Sequence, residues 1–302
     1  MMATGVIALS LVGPTATGKS AIALDLARRH RDLELVSVDS MQVYRGMNIG
    51  TAKPTTAEQA EVPHHLIDLV DPDDDYTVSR FQQDLAVALA DIASRHHRAV
   101  LVGGTGLYLR AAVDGLEIPA QYPDVRAQLE GEADTGWLHR RLVGLDPVAA
   151  GRMEPTNRRR VLRALEVTIG SGRPFSSYGP GMATYPPLSF PMVGLHRERD
   201  ELDERIEARY QSQLEAGFLA EVEALRARPG GLSRTAGQAL GYRELLDHLV
   251  GASSLDEAID EAVTRTRRFA RRQQRWFRRD PRLVWVEAGQ NAFAPIDDLL
   301  GD

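Results

Sequence analysis

Gly13-Pro14-Thr15-Ala16-Thr17-Gly18-Lys19-Ser20 follows a short apolar run, Val6 to Val12, and opens a stretch of helical pattern, Gly18 to His30. Two glycines, a lysine and a hydroxyl at these places form a phosphate-binding loop. Backbone N–H groups at a helix N-terminus wrap phosphate oxygens, Lys19 adds charge, and Ser20 is placed to hold Mg²⁺. The octet therefore predicts a phosphorylated ligand and a strand–loop–helix unit. Its spacing is G-x-x-x-x-G-K-S, not the G-x-G-x-x-G of dinucleotide folds. Asp39, about twenty residues on, is accordingly read as facing the substrate side of the sheet and not as a ribose ligand; a turn cap is the alternative.

Outward from the loop, the runs Glu34 to Val38, His65 to Leu69 and Ala99 to Val102 are separated by helix-length segments, the alternation of a parallel sheet with crossover helices. Thr77 to His96 is amphipathic, with Phe81, Leu85, Ala88, Leu89 and Ile92 on one face and Thr77 or Ser79 as a cap. From about Asp114 to Tyr185 strand runs disappear, and charged helical stretches are broken by glycine and proline, ending in the Gly/Ser/Pro/Tyr-rich span 170–187. The pattern resumes with a strand at Phe190 to His196, helices near Glu201 to Gly217, Gly241 to Val250 and Leu255 to Arg279, and a strand at Leu283 to Val286. The predicted fold is α/β: a P-loop NTPase-like core with a parallel sheet flanked by helices, plus an inserted, mostly helical subdomain. The core occupies 1–115 and 188–302, and the insert 116–187.

With 302 residues, 43% of them hydrophobic and 26% charged, disorder is excluded. The absence of cysteine removes disulfides and thiolate metal sites. Met1 to Gly5 carries no basic leader and no apolar run spans a bilayer, so a cytoplasmic protein without membrane contact is expected. The net charge of −6 argues against a nucleic-acid partner, but the arginines are clustered. Arg158, Arg159, Arg160 and Arg163 form one group; Arg265, Arg267, Arg268, Arg271, Arg272, Arg275, Arg278 and Arg279 form a denser one, either a solvated face or a phosphate contact. Lysine occurs only at Lys19 and Lys53. Asp71, Asp73, Asp74 and Asp75 lack the glycine and final glutamate of a calcium loop and read as solvated. His64 and His65 read as packing or capping residues.

The stretch from Ser37 through Asp39-Ser40-Met41-Gln42 to Lys53-Pro54 resembles the bacterial tRNA dimethylallyltransferases. The resemblance continues through Pro63-His64-His65-Leu66, Val102 to Tyr108 with its Gly103-Gly104-Thr105-Gly106, Asn157 to Val167, Arg205-Ile206-Glu207-Ala208-Arg209 and Gln238-Ala239-Leu240-Gly241-Tyr242-Arg243. The motifs keep the family's order over most of the chain; a departure such as Asn48, where aspartate is frequent, is minor. The resemblance implies transfer of a dimethylallyl group from dimethylallyl diphosphate to N6 of the adenine 3′ of a tRNA anticodon, with Mg²⁺, by a protein acting as a monomer. It places the diphosphate on Gly13, Pro14, Thr15, Ala16, Thr17, Gly18, Lys19 and Ser20, with Ser20 on the metal. It makes Arg209 a second clamp on the leaving group, Asp39 the general base and Thr105 a further catalytic residue. The tRNA contacts it implies are Asp39, Ser40, Met41, Gln42, Thr105, Arg126, Arg159, Arg160, Val161, Leu162, Arg163, Gln238, Ala239, Leu240, Gly241, Tyr242 and Arg243.

The chemistry is coherent. A prenyl diphosphate ionises when charge on the departing diphosphate is stabilised, which loop N–H groups, Lys19, Arg209 and Mg²⁺ suit. A carboxylate of ordinary pKa about 3.9 cannot deprotonate an adenine amino group beforehand. It can take the proton late, once nitrogen bonds to carbon. The rivals are a kinase using ATP, a prenyltransferase of free adenine nucleotides, and a non-catalytic RNA-binding protein that would need neither Lys19 nor Asp39.

Overall fold

The computed structural model describes residues 4–179, 181–182, 184–289 and 291–301. Its strands are β1 (Ile7–Val12), β2 (Leu33–Val38), β3 (His64–His65), β4 (Arg98–Gly103), β5 (Met192–His196) and β6 (Leu283–Glu287). They form one sheet in the order β3-β2-β4-β1-β5-β6, every neighbouring pair parallel. Such strands are covered on both faces, which is why β1 and β2 read as almost continuous apolar runs. The helices are α1 (Lys19–Arg29), α2 (Thr56–Glu61), α3 (Val78–Ser94), α4 (Gly106–Val113), α5 (Pro123–Glu130), α6 (Thr135–Leu145), α7 (Pro147–Gly151), α8 (Arg158–Ser171), α9 (Arg199–Glu215), α10 (Phe218–Arg226), α11 (Tyr242–Leu249), α12 (Leu255–Phe277) and α13 (Phe293–Asp297).

Side chains alternate across the pleat and sort the core into two layers. Leu9, Leu11, Leu35, Val100 and Val193 pack with Leu24 and Leu26 of α1 and Ile296 of α13. Val12, Val36, Val38 and Leu101 pack on the other side, in one cluster with Phe81, Leu85 and Leu89 of α3, Leu109 of α4, Ile206 of α9 and Phe277 of α12. The α3 face follows the expected spacing, and Thr77 caps that helix, its Oγ1 accepting the Arg80 N–H at 3.2 Å.

Two compact units result: one contains the chain up to Val113 and from Pro187 onward, the other is Asp114–Pro186. The second is built from α5 to α8 and has its own core of Leu129, Leu138, Leu142, Val161, Leu162 and Leu165. Its last part, the span 170–187, includes Pro180 and Ala183, which lie outside the described residues, as do Met1, Met2 and Ala3 of the N-terminal stretch.

Several expected elements shift. The strand expected from His65 to Leu69 is only His64–His65, because Leu66 and Asp68 adopt left-handed backbone (φ 62° and 52°) and turn the chain. Asp68 there meets the ammonium of Lys53 at 2.5 Å. The sequence pattern does not announce helices α2 and α10: α2 is short and buries none of its residues, and α10 follows α9 after only Ala216 and the left-handed Gly217.

Glu34 sits almost wholly buried on β2 and accepts from Arg95 (2.8 and 2.9 Å), His65 (2.5 Å) and His97 (2.8 Å). Burial alone would raise its pKa, but these donors overcome it and hold the carboxyl down at about 2. A depressed carboxyl contributes stability above its unfolded pKa and loses it as pH falls through the folded one. Stability should therefore decline between about pH 4.5 and 2. Glu34→Gln should cost about 2 kcal/mol at pH 7 and flatten that decline; urea melts of both proteins across the acid range check it.

Candidate active site

The C-terminal edge of the sheet is where ligands of such folds bind, and four strand ends converge there. The phosphate loop follows β1, Asp39 follows β2, the Gly103–Gly106 turn follows β4, and Arg197 follows β5. Gly18 takes φ 97° just before α1, a conformation open to glycine without strain. Ala16 pays for the same left-handed region at φ 64°. The carbonyl of Pro14 accepts from Thr17 Oγ1 (2.9 Å) and from Lys19 Nζ (3.1 Å), which ties the loop to itself.

Three arginines reach the loop from the β5–α9 segment. Arg197 Nε donates to the Thr17 carbonyl (3.1 Å), Arg205 Nε to the Ala16 carbonyl (2.9 Å), and Arg209 Nη1 to Thr15 Oγ1 (2.7 Å). Arg209 is deeply desolvated. Its Nε is buried without a partner, and burial lowers its pKa from the usual guanidinium value against the pull of Tyr210 and Asp39. Burial also pushes the Lys19 ammonium down to about 8; Asp39 opposes the shift and Arg209 adds to it. Two desolvated cations, with Arg205 as a third, thus share one pocket with a single carboxylate, an arrangement that selects an anion.

The pocket is a cavity of about 250 Å³. Thr15, Lys19, Ser20, Arg205 and Arg209 line its polar part, and Ala52, Pro54, Ile67 and Val102 its apolar part. Asp39 and Gln42 line it as well. Asp39 is half-buried, and one oxygen accepts the Met41 N–H at 2.8 Å, so the residue both caps its turn and faces the cavity. Gln42 is held by Ser37 Oγ (2.8 Å) and by the Ala52 carbonyl (3.2 Å). Thr105 Oγ1 accepts the Ser40 N–H at 3.2 Å, which brackets the turn after β4 to the turn after β2.

The segment carrying Gln42 to Pro54 is pinned from beneath. Lys53 is buried and donates to the Tyr44 carbonyl (2.7 Å), Asn48 (2.9 Å) and Asp68 (2.5 Å). The Glu221 carboxylate accepts the N–H groups of Asn48 (2.9 Å), Ile49 (2.9 Å) and Gly50 (3.3 Å), and the Tyr242 hydroxyl at 2.6 Å. Sequence reading passed over Glu221 and Gln213, whose Nε2 donates to the Ile49 carbonyl at 2.6 Å. Neither lies in a motif, so only the fold reveals them.

The expected RNA contacts divide by exposure. Arg159 and Arg160 on α8 are exposed, with no ion pair among the described residues, as are Gln238 and Arg243 in the first unit. Val161 and Leu162 are corrected: both are buried in the core of the second unit, where apolar side chains on the inner face of α8 must lie. Arg163 and Arg126 are half-buried and drawn inward to Glu166, at 2.6 and 3.8 Å. Ala239 and Tyr242 are likewise core residues, Tyr242 with its ring edge-on to Phe218 at 4.9 Å between centroids. Gly241, at φ 85°, is also buried, and a side chain there would strike Phe218. Leu240 and Met41 are half-buried. On α12, Arg265, Arg267 and Arg271 pair with Glu244, Glu207 and Asp203, whereas Arg268, Arg272 and Arg275, and Arg278 and Arg279 just past the helix end, are exposed. No group of three His, Cys, Asp or Glu able to hold a metal exists among the described residues, and the Asp71 to Asp75 run pairs instead with Arg45, Arg228 and Thr235. No described helix is long and apolar enough to cross a membrane.

Known proteins resemble this chain over most of its length. The model of the family described as IPP transferase matches residues 42–280, and that of isopentenyl transferase residues 6–68. A tRNA dimethylallyltransferase of Kineococcus radiotolerans is 47% identical over 297 residues, 96% of this chain and 93% of that protein. One from Bifidobacterium longum is 45% identical over 287 residues, 93% of this chain and 86% of that protein. The crystal structure of the full-length tRNA isopentenylpyrophosphate transferase of Bacillus halodurans superposes with a TM-score of 0.71 at 37% identity, covering 98% of this chain and 94% of that one. A eukaryotic dimethylallyltransferase acting on tRNA superposes at 0.76 with 26% identity, covering 94% and 74%. With the matched region spanning most of the sequence and both strand-end motifs in place, the chain belongs to the IPP transferase family.

Proposed function

We propose that this protein transfers a dimethylallyl group from dimethylallyl diphosphate to N6 of the adenine 3′ of the anticodon in tRNA and releases diphosphate, acting as a cytoplasmic monomer. The observation that carries this reading is the pairing of two desolvated cations, Lys19 and Arg209, with Asp39 around one cavity lined by both polar and apolar residues. The polar residues suit a diphosphate and the apolar ones a short hydrocarbon tail.

In the reaction the C–O bond of the donor breaks while the adenine nitrogen bonds to the same carbon. The electron pair of the broken bond leaves on the diphosphate, where Lys19, Arg209 and the loop N–H groups stabilise it. Lys19 has three donors and uses one on Pro14, so two face the ligand. The nitrogen, now cationic, loses its proton to the Asp39 oxygen that Met41 leaves free. Thr105 and Ser40 hold that turn in place. Mg²⁺ fits the donor set: the exposed Ser20 hydroxyl, in the first turn of α1, lines the same cavity as Asp39, and a magnesium ion held there would take its remaining ligands from phosphate oxygens and water. When bound, it would neutralise charge on the leaving group. An adenine in a single-stranded loop leaves its stack at small cost, and exposed Arg159, Arg160 and Arg243 suit phosphates of an RNA.

Incubation of the protein with Mg²⁺, labelled dimethylallyl diphosphate and unmodified tRNA should move label into RNA. Movement of label from γ-labelled ATP to a small acceptor, with none entering RNA from the prenyl donor, would overturn the assignment.

Asp39→Asn keeps an oxygen for Met41 and removes the base. It should lower kcat at least about a hundredfold with little change in tRNA affinity, and a large affinity loss at normal kcat would move Asp39 to binding.

Because burial holds Lys19 at about 8, its charge is present below that pH and lost above it. Affinity for a non-reactive diphosphate analogue should be level at neutral pH and fall as pH rises through about 8. An affinity flat to about pH 9.5 would remove Lys19 from the diphosphate contact.

Arg159→Ala with Arg160→Ala should weaken tRNA binding and reduce the slope of log K against log salt by about 2, and an unchanged slope would place them off the RNA.

A further inference from the structure

The two reacting sides of the site hang from different strands. The phosphate loop follows β1, while the Gly103–Gly106 turn follows β4 and holds Thr105 on Ser40, beside Asp39. One side chain touches both. Gln273 of α12 accepts the Thr15 N–H on Oε1 at 3.0 Å and donates from Nε2 to the Gly104 carbonyl at 2.8 Å. It is buried, 8% exposed. Thr15 is also the residue whose hydroxyl receives Arg209. A primary amide carries one acceptor and one donor group on a single planar carbon, and here each is committed to one side of the site.

The turn is shaped for this approach. A Cβ on Gly104 would lie 2.4 Å from Gln273 Nε2, and one on Gly106 would lie 2.1 Å from Trp276 Nε1. The two glycines are therefore the condition on which α12 comes close enough to bridge the strand ends.

We propose that Gln273 is a positioning residue: acting through Thr15 and Gly104, without touching substrate, it fixes the separation between the leaving-group loop and the base-side turn. The inference rests on the reaction proposed above, in which a carbon on one side must meet a nitrogen and a carboxylate on the other. Near-attack geometry is steep, and a displacement of about 1 Å can cost about a hundredfold in rate. Substrate affinity in that reaction depends on charged groups that every Gln273 variant retains: Lys19 and Arg209 for the diphosphate, exposed arginines for RNA. The loss of Gln273 therefore falls on kcat.

The test is steady-state kinetics with Mg²⁺, dimethylallyl diphosphate and tRNA. Gln273→Glu sets a carboxylate oxygen against the Gly104 carbonyl; Gln273→Met keeps the length and loses both bonds. Each should lower kcat about 30- to 100-fold and leave both KM values within about threefold. Gly104→Ala displaces the amide from the other side, so it should lower kcat in the wild-type background but add little to Gln273→Ser. These variants carry the test if Gln273→Glu does not fold. An unchanged kcat, a raised tRNA KM at normal kcat, or additive costs for Gly104→Ala and Gln273→Ser would overturn the proposal while the wild type still prenylates RNA. A wild type that transfers no prenyl group would overturn the reaction and this inference with it.

Discussion

Two cations withdrawn from water into one pocket form the constraint around which this protein is arranged. At an effective dielectric constant of about 20, like charges about 4 Å apart repel by roughly 4 kcal/mol, and desolvation adds to the cost. Lys19 and Arg209 are kept apart by fixed partners: the Pro14 carbonyl holds one, the Thr15 hydroxyl the other. Asp39 offsets part of the charge and leaves an excess. A pocket in that condition binds a polyanion favourably before any chemistry starts, and it stabilises one that gains charge even more. In the proposed reaction, binding and leaving-group stabilisation would thus come from the same imbalance.

The fold supplies rigidity where the imbalance would otherwise open the site. Each element of the candidate site is a loop at a strand end, and loops alone do not hold positions to a fraction of an ångström. Here buried and half-buried polar side chains tie them. Lys53 and Glu221 occupy the backbone groups of the Gln42 to Pro54 segment; Gln273 occupies those of the phosphate loop and of the Gly104 turn. Such groups are satisfied only in one geometry, and a buried polar group that loses its partner costs about 1–3 kcal/mol. The ties therefore resist displacement in either direction.

That division of labour explains what was legible in the sequence. Gly13 to Ser20 announces itself because phosphate geometry dictates residue types at fixed spacing, and the strand pattern follows from burial on both faces. Lys53, one of only two lysines, was noticeable, but its role as a buried tie was not. Glu221, Gln213 and Gln273 are ordinary polar residues on helices, distinguished only by what lies opposite them once α9, α10 and α12 have packed. Within a motif, spacing does not tell a contact from a support: Val161 and Leu162 share a run with Arg159 and Arg160, yet a helix turns them inward by about 100° per residue. Tyr242 is a similar case, since its place beside Arg243 conceals that its hydroxyl serves Glu221.

The arginines of α12 show why net charge is a poor guide to partners. A protein of charge −6 carries six arginines on the second half of α12 and two more, Arg278 and Arg279, just past its end, and carboxylates on α9 and α11 neutralise three of them, Arg265, Arg267 and Arg271. Those three anchor the helix and leave the local field to Arg268, Arg272, Arg275, Arg278 and Arg279, all exposed. At physiological ionic strength a field is felt over about 8 Å, so acids elsewhere on the molecule do not cancel it. The same helix turns Thr266, Gln273 and Phe277 into the core. Its inner face is specified by apolar packing and by the hydrogen bonds of Gln273, its outer face by charge, so a change on the outside is free to alter charge without moving the bracket within.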